Sequence, residues 1–144
     1  MKQRFLLFSI FVIIFNGCSK VEVIDLPITT SSPKALAYYK SAMLSFQVGD
    51  APEKRALLDS ALSIDPNFVM ALELYDSPDP ILKRKHRELA KKNVVNASQA
   101  ENKMISIRES YRNEDMDKAL ESAKWLVENH PESHESFVWL GQVQ

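Results

Sequence analysis

The sequence predicts an all-α protein built from antiparallel helical hairpins. After residue 33, apolar residues recur at three- and four-residue steps, which is the spacing of one face of an α-helix. No six-residue stretch after residue 18 alternates polar residues with β-branched or aromatic ones between turns, as a half-buried strand would. The chain also has only three glycines. Helices joined by short turns are therefore expected throughout the folded part.

The first hairpin is marked by its start signals and its turn. Ser32 is a favoured helix cap, and Pro33 suits the first helical turn, where its missing N–H would lack a partner in any case. A turn at residues 49–50 ends this helix, and a second helix is expected over residues 52–64. The positions that share one face in the two helices are Ala35, Tyr38, Ala42, Ser45 and Phe46, then Leu57, Leu58, Ala61, Leu62 and Ile64.

The second hairpin begins with a capping box. Ser98 is followed three places later by Glu101, a pattern in which each side chain accepts the other residue's backbone N–H. A turn at residues 113–115 separates this helix from a return helix that ends before residues 130–131, and a further helix opens near His134. The apolar stripes of the hairpin are Ala97, Ala100, Met104, Ile107 and Tyr111, then Ala119, Leu120, Ala123, Leu126 and Val127.

Residues 67–97, between the two hairpins, are predicted to form a shortened helix pair. A short apolar segment occupies residues 68–75, a proline-rich turn follows at residues 77–80, and a basic helix is expected over residues 81–95.

The endings of the two clear hairpins, residues 61–67 and 126–132, lie 65 residues apart, close to two periods of 34. A helical-hairpin repeat of this length resembles the tetratricopeptide repeat (TPR), and residues 137–141 resemble that family's W-x-x-L-G opening with Phe for Trp. The resemblance implies a short, right-handed, TPR-like solenoid over residues 33–144. An irregular helical bundle is the alternative. Residues 137–144 would then be either a capping helix or the start of further repeats, in which case this chain is truncated.

The N-terminus has the order of a secretory signal. Lys2 and Arg4 precede an apolar run over residues 5–15, which is too short for a permanent membrane span. Residues 15–18 resemble a bacterial lipobox, which implies cleavage after residue 17 and a lipid on Cys18, the only cysteine. The alternative is an ordinary signal with an incidental cysteine. Residues 18–32 are expected to be a tether, and Ser19 resembles the signal that permits transfer to the outer membrane.

Charge and motif patterns favour a binding protein over an enzyme. Removal of Lys2 and Arg4 with the signal leaves 16 basic residues against 19 acidic ones, so neither charge dominates. Residues 83–92 are strongly basic and could face anionic lipid, although a solvated helix face is the simpler interpretation. No nucleic-acid partner, metal or cofactor is expected, because no aromatic residues interleave with these charges and Pro131 separates the histidines at 130 and 134.

We therefore expect a non-catalytic, membrane-anchored module for protein–protein interaction in the bacterial cell envelope. The chain has no phosphate-binding loop, no nucleophile elbow and no recognisable acid pair. An accessory subunit of an envelope enzyme or of a nutrient-uptake complex is the alternative. The partner would be a peptide or an envelope protein, with arginines on its acidic groups. The resemblance places its groove on the first helix of each hairpin, at Tyr39, Met43, Phe46, Met104, Arg108, Tyr111 and Arg112.

Overall fold

A computed structural model describes residues 25–144, so the predicted signal peptide and Cys18 lie outside the described residues. Within this range the protein is all-helical, as predicted, and contains no strand. None of these helices has both the length and the apolar character needed to cross a bilayer. The seven α-helices are α1 (Pro33–Gln47), α2 (Ala51–Ile64), α3 (Val69–Leu74), α4 (Pro80–Asn93), α5 (Gln99–Arg112), α6 (Met116–Asn129) and α7 (His134–Gln142).

The helix boundaries follow the predicted start and stop signals. Ser32 caps α1, and the Ser32 side chain accepts a hydrogen bond from the Ala35 N–H. Pro33 lies in the first turn of the helix. Ser98 and Glu101 form the complete capping box at the start of α5. The predicted basic helix ends at residue 93, and residues 94–96 continue as a 3₁₀ turn.

The two hairpin turns have the same backbone conformation at one corresponding position. Gly49 and Glu114 both have positive φ angles, of 79° and 59°, one residue before the next helix cap. Such an angle is easy for glycine and uncommon for glutamate. Asp50 and Asp115 then cap α2 and α6, and each carboxylate accepts a backbone N–H three residues later, at 3.0 and 3.1 Å. The α1–α2 and α5–α6 connections therefore have corresponding caps and turn geometry.

The spacing of 65 residues between the motif endings is also a spacing between helices. Adding 65 to the bounds of α2 gives those of α6, and adding 65 to the first residue of α3 gives that of α7. The starts of α1 and α5 agree to within one residue. A three-helix pattern therefore occurs twice in the chain.

Helix α3 connects the two halves of the fold. It packs against α2, α4 and α5, while α1 packs on α2, and α6 packs on both α5 and α7. All six residues of α3 are buried, including Glu73. Three alanines on the predicted apolar faces, Ala42, Ala61 and Ala119, are completely buried.

The last part of the predicted tether is packed against the helices. We call residues 25–31 the N-terminal strap, because this extended segment runs along the end of the helical domain. Leu26 is only 2% exposed and belongs to the hydrophobic core. Backbone N–H groups of Leu26, Thr29 and Ser31 donate to the carboxylates of Glu135, Glu101 and Asp65, at 3.0, 2.9 and 2.8 Å. The packed part of the chain thus begins no later than residue 26. This packing was not predicted, because residues 25–31 show no helical periodicity.

Candidate functional site

The structure divides the predicted groove into buried, internally bonded and exposed residues. Tyr39 and Met104 are only 5% and 2% exposed, and both belong to the core. The Tyr39 ring lies 5.2 Å from the ring of Phe68, and Met43 is partly buried against the same core. Burial raises the pKa of the Tyr39 hydroxyl far above its ordinary value of 10.0. The assignment of Tyr39 and Met104 to a partner-contacting surface is therefore wrong, because α1 and α5 pack these side chains inward.

The two groove arginines contact a carboxylate of the protein itself. Arg112 Nη1 lies 2.7 Å from Glu73 Oε1, and Arg108 Nε lies 3.6 Å from the same oxygen. The Glu73 side chain is only 4% exposed, whereas each arginine side chain is 31% exposed. Burial lowers the pKa of Arg108, and the charge of Glu73 opposes that shift. We predicted that these arginines contact acidic groups of a partner, and in the structure Glu73 of the same chain is such an acidic group.

Glu73 was missed in the sequence because nothing in its local pattern marks it as a partner of α5. Its one signal is its place as the only charged residue in the apolar segment over residues 68–75. A charge in such a segment is almost never fully buried without a partner. The identity of that partner depends on the contact between α3 and α5, which are separated by α4 in the chain.

Phe46 and Tyr111 are the exposed aromatic members of the predicted groove. They lie 65 residues apart, each at the end of the first helix of its hairpin, and are 54% and 39% exposed. The Lys54 ammonium lies 5.0 Å from the centre of the Phe46 ring. The Tyr111 hydroxyl donates to the backbone carbonyl of Gln142 and so joins α5 to the end of α7.

Two further apolar residues near Phe46 in the sequence are exposed at the tip of the first hairpin. Leu44 is 64% exposed and Val48 is 80% exposed. We call Leu44, Phe46 and Val48 the hairpin-tip surface. Exposed large apolar side chains can mark interaction sites, and these three lie within five residues of the chain.

The basic helix α4 is amphipathic, as the sequence indicated. Ala90 is buried, and Leu82 and Leu89 are partly buried, while most of its basic residues face solvent to a large extent. His86 is also partly buried, with its ring at 4.3 Å from the Tyr75 ring in an edge-to-face arrangement. Burial lowers the pKa of His86 from its ordinary value of 6.5.

A cleft opens between α4 and α5, with Glu73 in its lining. Its larger part has a volume of about 330 Å³, and an adjoining part has a volume of about 130 Å³. The larger part is lined by Glu73, Arg87, Lys91, Glu109, Arg112 and Asn113. Ala90, Val94 and Ile105 contribute apolar surface to the smaller part. The sequence did not predict this cleft, because the cleft depends on where the fold places α4 relative to α5.

Other candidate sites are structural in the described residues. Trp125 and Trp139 are partly buried and pack against the core. His130 lies beside the Trp125 ring, with ring centres 6.1 Å apart. In residues 25–144, no group of three or more His, Cys, Asp or Glu side chains is arranged to hold a metal ion.

Comparison with known proteins adds no relative. No protein-family model matches the chain, and neither does any curated protein or solved structure. Among residues 25–144, the hairpin-tip surface and the α4–α5 cleft are the two candidate binding features.

Proposed function

We propose that this chain is a lipid-anchored, non-catalytic repeat module of the bacterial cell envelope that binds a protein partner. The observation that carries the proposal is the recurrence of a three-helix pattern at a spacing of 65 residues, with matching hairpin turns. Two periods of a 34-residue hairpin repeat have nearly this length, so the recurrence supports a TPR-like solenoid. Stacked hairpins of this kind offer extended surfaces for binding.

The hairpin-tip surface is the part of the module that we assign to the partner. Its three apolar side chains are more than half exposed, in contrast to Tyr39 and Met104. A peptide segment or envelope protein with apolar side chains would cover this surface and remove it from water, which is favourable. The Lys54 ammonium beside Phe46 would lie at the edge of the contact and favour a partner with a nearby acidic group.

The proposed anchor would hold the domain close to the membrane. Cys18 would carry the lipid, and Ser19 supports transfer to the outer membrane. The strap begins at residue 25, so at most residues 19–24 connect it to the anchor. Six residues span at most about 22 Å when fully extended. The tether is thus at most about half as long as the sequence suggested.

The anchor is tested by replacing the thiol. Cys18→Ser should move the protein from the membrane fraction to the soluble fraction, or stall cleavage of its signal. The measurement is fractionation of cells followed by mass determination of the N-terminal peptide. A Cys18→Ser protein that is processed normally and stays in the membrane fraction would disprove lipid attachment at this residue.

The partner surface is tested by a pair of matched substitutions. Val48→Glu places a carboxylate on the hairpin-tip surface, and Val95→Glu makes the same change on the 3₁₀ turn, at similar exposures of 80% and 82%. Burying an unpaired charge weakens a contact by at least about tenfold. Crosslinking in native membranes should capture the same protein with wild type and Val95→Glu, and much less of it with Val48→Glu.

Two results would contradict this proposal in different ways. Equal capture of the partner by wild type and both variants would show that the hairpin tip is not part of the interface. Turnover of a small molecule by the purified domain would overturn the non-catalytic assignment.

A further inference from the structure

Helix α4 concentrates positive charge beside the α4–α5 cleft. Six of the 18 basic residues of the chain lie in its 14 residues, with Glu88 as its one acidic residue. Lys83 forms an ion pair with Asp76, and Lys91 lies 4.0 Å from Glu88. Within residues 25–144, no ion pair engages Arg87. The basic residues of α4 are Lys83, Arg84, Lys85, Arg87, Lys91 and Lys92.

The two helices supply positive groups from opposite walls of the cleft. Arg87 and Lys91 are one turn apart on α4, so their side chains share a face. Arg112 and Asn113 contribute from the end of α5. The bond from Arg112 Nη1 to Glu73 at 2.7 Å holds that guanidinium in place and leaves its other N–H donors for a ligand. The donors of this wall are thus partly ordered before anything binds.

The charges in the lining of the cleft leave an excess of about one positive unit. The cations are Arg87, Lys91 and Arg112, and the anions are Glu73 and Glu109. Arg108 at Glu73 adds a fourth cation and Glu88 beside Lys91 adds a third anion, so the excess stays at one. A singly charged anion would balance this excess.

We propose that the α4–α5 cleft binds a phosphate monoester. Guanidinium, ammonium and amide groups all donate to phosphate oxygens, and arginine can do so through two parallel N–H bonds. The volume of about 330 Å³ is sufficient for a small ligand. The apolar surface of Ala90, Val94 and Ile105 in the adjoining space would contact the first carbons of the esterified group.

The presence of Glu109 favours phosphate over a dicarboxylate. A carboxylate in the lining repels a fully ionised acid, but it accepts a hydrogen bond from the P–OH of a singly protonated phosphate monoester. The second ionisation of such a group occurs near pH 6, so protonated and doubly charged forms both occur close to neutrality. A phosphate diester has no P–OH and would lose this bond.

The same chemistry could come from a soluble phosphate ester or from the headgroup of a lipid such as phosphatidic acid. A basic helix beside an anionic bilayer is attracted to the surface through each of its Lys and Arg residues. The site is separate from the hairpin-tip surface, so its test does not depend on a protein partner.

The soluble arm measures the binding of inorganic phosphate, glycerol 3-phosphate and succinate to the full chain carrying Cys18→Ser by isothermal titration calorimetry. The lipid arm measures cosedimentation of the same protein with phosphatidylcholine vesicles that contain either phosphatidic acid or phosphatidylglycerol. We expect both phosphate probes to bind more tightly than succinate. If a lipid is the natural source, phosphatidic acid vesicles should retain more protein than phosphatidylglycerol vesicles, whereas equal retention would assign the site to soluble esters.

Two charge-matched variants distinguish binding in the cleft from attraction to the overall positive charge of α4. Arg87→Gln with Lys91→Gln removes two lining cations, whereas Arg84→Gln with Lys85→Gln removes two exposed cations outside the lining. The first pair should weaken phosphate binding at least about tenfold, and the second pair by less than about twofold. Asn113→Ala keeps every charge and should weaken binding by about threefold, which guards against a folding defect in the first pair.

Three outcomes would overturn the assignment. The first is no measurable binding of either phosphate probe by the Cys18→Ser chain. The second is succinate binding as tight as glycerol 3-phosphate binding. The third is an equal loss of phosphate binding in the two charge-matched variants, which would show that only the net charge of α4 matters.

Discussion

Glu73 Oε1 on α3 lies 2.7 Å from Arg112 Nη1 on α5, and this ion pair connects the two copies of the three-helix pattern. The carboxylate is almost inaccessible to water, while the guanidinium reaches the surface at the α4–α5 cleft. Arg108 also donates, to the backbone carbonyl of Glu73 at 3.5 Å. A buried carboxylate is costly unless it is paired, so both arginines contribute to keeping α3 in its place.

Replacement of this carboxylate should destabilise the fold. Glu73→Gln removes the charge and leaves two arginine side chains beside a neutral amide, so we expect a loss of about 2–3 kcal/mol in the free energy of unfolding. The measurement is denaturant unfolding followed by circular dichroism. Glu121→Gln, at an exposed position of α6, is the control and should change stability little. Equal stability of the two variants would contradict the structural role of Glu73.

Most of the fold could be predicted because the signals for its helices are local. A cap, a proline in the first turn and a positive-φ turn depend on neighbours in the sequence, and residues such as Ser32, Ser98 and Gly49 carry them without reference to the rest of the chain. The 65-residue spacing is equally visible in the sequence. These features determine where helices begin and end.

The candidate site could not be predicted to the same extent, because it depends on contacts between distant helices. Tyr39 and Arg108 lie on the helices that the family resemblance assigned to a groove, but α3 and the packing of the two hairpins decide which side chains remain exposed. The strap presents the same problem. Residues 25–31 have no helical period, and their order comes from the distant carboxylates Asp65, Glu101 and Glu135.

His86 should make stability depend on pH in the range just below neutrality. Burial lowers its pKa in the folded protein, with Lys85 acting in the same direction and Asp59 in the opposite one. The unfolded chain, with an ordinary pKa of 6.5, therefore takes up a proton first as the pH falls. The contribution of neutral His86 to stability is complete above pH 6.5 and is lost as the pH falls through the folded-state pKa.

The substitution His86→Phe keeps a ring against Tyr75 and removes the titrating group. Free energies of unfolding measured between about pH 5 and 8 should therefore fall less steeply toward acid in His86→Phe than in wild type. Parallel curves for the two proteins would show that His86 does not contribute to the pH dependence.

The strap should contribute to stability mainly through Leu26. This side chain is 2% exposed, and Leu26→Ala would leave a cavity at a cost of about 2–3 kcal/mol. Thr29→Ala is the matched control, because the Thr29 side chain is exposed and its contact with Glu101 uses only the backbone N–H. Hydrogen exchange at the Thr29 and Ser31 amides should become faster in Leu26→Ala but not in Thr29→Ala. Unchanged exchange in both would mean that the strap is held by its hydrogen bonds alone.

The close contact between the helices of the first hairpin can be tested at Ala61. This residue is completely buried on α2, whereas Ala56 on the same helix is exposed. A tryptophan at position 61 would have to displace packed neighbours, at a cost of about 1–3 kcal/mol or more, and the same change at position 56 can extend into solvent. Ala61→Trp should therefore melt at a clearly lower temperature than wild type, and Ala56→Trp at nearly the wild-type temperature. Because both variants add the same side chain to the same helix, equal melting temperatures would contradict the close packing at Ala61.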